Sequence, residues 1–166
     1  NQGMQPIAGY NYGAQQLDRM MHVVTLAIIV ATIIMTIGWL IAMFIPYYCS
    51  RLFTKDATLI GLGIKAIRIN LLAFPIVGCQ MVITNFFQSI GKVRISIFLS
   101  LSRQLLLLLP LLATLPLIYG VNGVWYAMPT SDVCASIIAA FMMMAYMKKF
   151  KKQHKNMIHG RQENNN

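Results

Sequence analysis

The stretch Val23–Ser50 reads VVTLAIIVATIIMTIGWLIAMFIPYYCS and holds no Asp, Glu, Lys or Arg. A helix needs about 20 mostly apolar residues to cross roughly 30 Å of hydrocarbon, and this run supplies them. It ends in the pair Tyr47-Tyr48, the residue type that settles at a membrane–water boundary. Two further charge-free stretches follow, Ile69–Gly91 and Gln104–Ser131. Of the 166 residues, 57% are hydrophobic and only 11% charged, against about 25% charged in a soluble domain. Water is therefore not the main solvent of this chain.

Working outward divides the chain into four spans: A over Val23–Pro46, B over Ile69–Ile90, C over Ile95–Leu117 and D over Val124–Met147. Between them lie a charged loop at Arg51–Asp56, a basic loop at Gly91–Arg94 and a turn at Ile118–Gly123, where Gly120 and Asn122-Gly123 supply turn chemistry. Leu59–Arg68, with Lys65 and Arg68, reads as a surface-lying or helix-leading segment. Gly3–Ala14 reads as a helix end or turn, and Gln15–His22 as a polar link. The expected fold is all-α, a polytopic membrane bundle of four full helices plus the end of a fifth. Residues 1–147 form the membrane part and 148–166 a basic tail.

The net charge is +10, and the tail from Lys148 carries half of it, with six Lys or Arg against one Glu. Beside a membrane helix such a tail marks the cytoplasmic side and faces anionic lipid, not nucleic acid. The last residues, GRQENNN, read as disordered. Cys49, Cys79 and Cys134 are too dispersed for a zinc motif, and His154 and His159 lack further ligands. No catalytic triad or phosphate loop is present, so neither an enzyme nor a cofactor is expected.

Polar groups inside hydrocarbon need partners or a water-filled cavity. Arg103 and Asp132 each lie about nine residues into their spans, roughly 13 Å from the helix start. Antiparallel packing then leaves several ångströms between them along the membrane normal. Direct pairing needs the long Arg stem or a helix distortion, which Pro129 could supply. Asp132 then binds a proton or cation, or gates a pathway. Alternatively, Asp132 caps a helix segment after Pro129 and Arg103 snorkels to headgroups. In span B, Gln80, Thr84 and Gln88 recur every four residues and share a face, with Asn70 and Asn85 nearby and Pro75 able to bend the helix. That face either lines a cavity for an amphiphilic substrate or hydrogen-bonds between helices. The 12 Met suit adaptable surfaces or gap filling.

Four segments in order resemble the MATE (multidrug and toxic compound extrusion) transporters of the bacterial DinF/MepA-like branch: QPIAGYNYGA at Gln5–Ala14 followed by Arg19, FFQSIGK at Phe86–Lys92, LSRQ at Leu101–Gln104, and YGVNGVWYAMPTSD at Tyr119–Asp132. The resemblance implies a twelve-helix transporter of two lobes around a central cavity. It exports amphiphilic compounds in exchange for protons or sodium ions across the bacterial inner membrane, with both termini cytoplasmic. Gln5, Pro6, Asn11, Gly13 and Arg19 would then be motif residues at the end of the eighth helix, and spans A to D the ninth to twelfth. The N-terminal lobe, with its coupling acid, is expected to be a missing partner of this chain. Span B lacks the carboxylate of sodium-coupled relatives, which favours protons. Two other functions fit the spans: a flippase for lipid-linked sugars, which should show a cationic cavity, and a non-transporting anchor subunit, which should show bland spans.

Overall fold

The computed structural model describes residues 1–163, with side chains through Phe150. The described residues are helical, with no strand among them. In order they are α1 (Met4–Gly13), α2 (Leu17–Phe44), α3 (Pro46–Arg51), α4 (Ala57–Asn70), α5 (Phe74–Ser89), α6 (Val93–Leu101), a π-helical segment (Ser102–Leu108), α7 (Leu109–Tyr119) and α8 (Val121–Glu163). The helix α2, the run Val93–Tyr119 and the stretch Val121–Phe150 are each long and apolar enough to cross a membrane, and the bent pair α4–α5 meets the same measure of length and composition when its halves are taken together.

Span A begins earlier than the apolar run suggests. The polar residues Asp18, Arg19 and His22 sit on the first turns of α2, while Met20 and Val24 point inward. Asp18 also complements the positive end of the helix dipole. The expected link at Gln15–His22 shrinks to Ala14–Gln16, with Gln15 at φ 57. Gly3–Ala14 is likewise mostly helix. Beyond its first turns α2 is largely clothed in exposed Ile, Leu and Val such as Ile33, Ile34 and Ile37, the surface a helix shows to lipid.

Span B extends back to Ala57, and the segment with Lys65 and Arg68 is its first half. The two halves meet at 50°. Pro75 explains the break, because it has no N–H for the carbonyl of Leu71 four residues before it. That carbonyl accepts instead from the Phe74 N–H at 3.0 Å. Asp56 caps α4, its Oδ1 accepting from the Thr58 N–H at 2.8 Å. Gly120, at φ 60, makes the reversal between α7 and α8, a conformation that costs glycine little. Beyond it, α8 runs unbroken through Pro129 and across Lys148 to Glu163. Gly160–Glu163 are thus helical where disorder was expected; residues 164–166 and the side chains of His154 and His159 lie outside the described residues.

α5 is the hub. Its residues Val82, Ile83, Phe86 and Phe87, with Ile90 just past its end, pack with Met4 and Ala8 of α1, Met20 and Val24 of α2, Leu99 of α6, and Ala139 and Met143 of α8. In lipid this packing is driven by close contact between helices, since the tails are as apolar as the side chains. An aromatic group extends it: Phe87 meets Tyr146 edge-on at 5.3 Å, and Phe150 stacks on both Tyr146 (5.7 Å) and Tyr12 (5.3 Å).

Candidate functional site

The face of α5 opposite this core is polar. Gln80, Thr84 and Gln88 line a cavity of about 460 Å³. The four-residue spacing that puts them on one face also puts Met81 and Asn85 beside them, and both join the lining. The second wall is span C, through Ser96, Ser100, Arg103 and Gln104. The third is α8, through Met128, Ser131 and Asp132. Ser96, Ser100 and Arg103/Gln104 form a stripe at helical spacing. That stripe was a readable signal of a lining face, and the sequence reading used only its Arg.

Arg103 and Asp132 meet directly. The Arg103 Nε donates to Asp132 Oδ1 at 2.7 Å, with the two side chains 31% and 13% exposed. The distortion near this contact is in Arg103's own helix, not at Pro129. From Ser102 to Leu108 the backbone is π-helical, and the Leu109 N–H donates to Gln104 O, five residues back. Pro110 gives a physical reason: it cannot serve the carbonyl of Leu106 in an α-helical register, and a one-residue-wider turn offers that carbonyl to the next N–H. Asp132 stands inside α8 and does not cap a helix start. Arg103 is engaged by that carboxylate through its Nε. Around Pro129, which is buried, hydroxyls bond back to the helix: Thr130 Oγ1 donates to Tyr126 O, Ser131 Oγ to Met128 O, and Ser136 Oγ to the backbone carbonyl of Asp132.

Asn70 does not reach the cavity. It ends α4, and the bend at Leu71–Ala73 takes it off the Gln80 face; its Oδ1 is buried without a hydrogen-bond partner among the described residues. The motif residues do not line the cavity either. Gln5 comes nearest, its Nε2 donating to Asn85 Oδ1 at 3.3 Å, so α1 braces a cavity-lining side chain from behind. Asn11 is buried and donates to Ile7 O at 2.8 Å. Pro6, Gly13 and Arg19 are exposed. Gly9, which sequence reasoning passed over, lies against α5: a Cβ there would sit 2.9 Å from the Ser89 carbonyl oxygen. No cluster of three metal-ligating side chains occurs among the described residues.

A wall of amides and hydroxyls enclosed by apolar helices can hydrogen-bond a polar group while the flanking Met and Leu side chains take an apolar one. A family model described as MatE matches residues 1–114. The MATE multidrug transporter DinF-BH, solved with a bound ligand, superposes with TM-score 0.82 at 40% identity, over 87% of this chain and 32% of its own. An inward-facing multidrug resistance transporter of the MATE family and MOP superfamily gives TM-score 0.83 at 22% identity, over 90% and 35%. The MATE transporter ClbM, solved in complex with Rb+, gives 0.74 at 22%, over 82% and 32%. The chain spans about a third of the length of these transporters. No curated protein sequence matches it significantly. With the family model covering more than half of its residues, this chain belongs to the MATE family of integral membrane transporters.

Proposed function

We propose that this chain is part of a DinF-like secondary antiporter that exports amphiphilic compounds in exchange for protons or sodium ions. The observation that carries the reading is the cavity of about 460 Å³, walled by α5, span C and α8 and lined by Gln80, Thr84 and Gln88. The 40% identity to DinF-BH, a multidrug transporter, supports the branch. Cargo would enter with its polar end on the amides and its apolar body on Met81, Leu108 and Met128. The flippase alternative asks for several free cations to hold phosphates, whereas the cavity has Arg103, already paired with Asp132. A non-transporting anchor has no use for a polar face inside the bundle.

Protons are the favoured coupling ion, because α5 carries no carboxylate on the cavity face to hold sodium. Asp132 has its counter-ion in place and is assigned to holding span C against α8, and so to gating, while the coupling acid belongs to the other lobe. The basic residues from Lys148 onward support a cytoplasmic C-terminus in a bacterial inner-membrane protein.

Ethidium efflux by the transporter carrying this segment tests the reading. Replacing both Gln80 and Gln88 by Leu should slow efflux about tenfold, since interhelical or ligand hydrogen bonds in membranes contribute around 0.6–1 kcal/mol each. Unchanged efflux at equal surface expression would sink it.

A further inference from the structure

The cavity wall carries two charges, and they cancel. Arg103 and Asp132 are its charged side chains among the described residues; the other polar linings are amides and hydroxyls. Their contact at 2.7 Å leaves neither group to act as a lone ion. The hydroxyl of Ser136 takes Asp132's backbone carbonyl, not its carboxylate. The neutral part of the wall is also short of a donor: Gln80, 4% exposed, has a side-chain oxygen without a hydrogen-bond partner among the described residues. A lone carboxylate in a low-dielectric cleft would gather cations, and a lone guanidinium would gather anions.

We propose that the Arg103–Asp132 pair sets the charge selectivity of this cavity. By cancelling, the two groups leave a neutral hydrogen-bonding surface that receives the uncharged polar part of a cargo and is indifferent to its net charge. Removing either partner converts the same cavity into a selective one. The inference rests on the reading of the cavity as the cargo site.

The test is binding of two rhodamines with one ring system, a cationic ester and the zwitterionic free acid, to the purified detergent-solubilised transporter, read by fluorescence anisotropy. The unmodified protein should bind both with similar Kd. Arg103→Gln should favour the ester over the acid by about tenfold, the effect of one unit charge roughly 10 Å from the dye at an effective dielectric near 20. Asp132→Asn should shift the preference by a similar factor the other way. The double variant should restore parity even if each single variant is poorly stable, and Arg103→Lys, which keeps the charge, should also retain parity. If both single variants weaken the two dyes equally, the pair is only a structural tie and the proposal fails. If the unmodified protein binds both dyes and no variant moves the ratio, charge selectivity fails while the cargo reading stands. If it binds neither dye, both fall.

Discussion

Gly9 has no side chain, and on that absence the seating of α1 depends. A Cβ at this position meets the backbone oxygen of Ser89 at 2.9 Å, and backbone cannot swing aside as a side chain can. Gly9→Leu should therefore lift α1 from α5 and destabilise the protein by about 1–3 kcal/mol, the usual cost of overpacking. A lowered unfolding temperature in detergent would register it; an unchanged one would mean that α1 does not hold its neighbours. The same displacement would loosen the Gln5–Asn85 hydrogen bond and reach the cavity through Asn85. Residues differed in how readily their sequence context revealed them. Gln80, Thr84 and Gln88 were legible because a four-residue period states a helical face without knowledge of the neighbours. The closeness of Gly9 to Ser89, 80 positions away, was not, since no local pattern encodes which backbone passes a glycine.

Two departures from regular α-helix border the cavity walls, and each has a proline beside it. At Pro75 the crossing breaks by 50°, and at Pro110 the helix before it widens to a π turn. Proline marks where a helix must adjust but not how, so the bend and the widened turn were beyond the sequence. Asn70 was misplaced for that reason: a straight span B puts it on the cavity side, and the bend removes it. Pro75→Ala restores an N–H for the Leu71 carbonyl and should straighten the pair. Spin labels at positions 62 and 88 should then move apart in pulsed resonance measurements. An unaltered distance would assign the bend to packing against α2 and α8.

At the scale of the molecule, the all-helical membrane plan was legible from three charge-free runs and the turn that divides the third, because hydrocarbon thickness is a length that a sequence can be measured against. The boundaries were less so. α2 starts six residues before span A and α4 belongs to span B, since a helix end at a membrane surface tolerates polar residues that a hydropathy pattern excludes. Topology reporters test the orientation. A C-terminal green fluorescent protein fusion should fluoresce and an alkaline phosphatase fusion should be inactive, as a cytoplasmic terminus requires; the opposite pattern would invert the assignment.

The rings of Tyr12, Phe87, Tyr146 and Phe150 join helices that lie at opposite ends of the chain. Each aromatic pair contributes about 0.5–1.5 kcal/mol beyond simple burial, so prying α1 from α8 means opening several contacts together. Mechanically the group is a rivet. It fastens α1 to α8 through Tyr12, Tyr146 and Phe150, so the two helices are held to move as one rigid block.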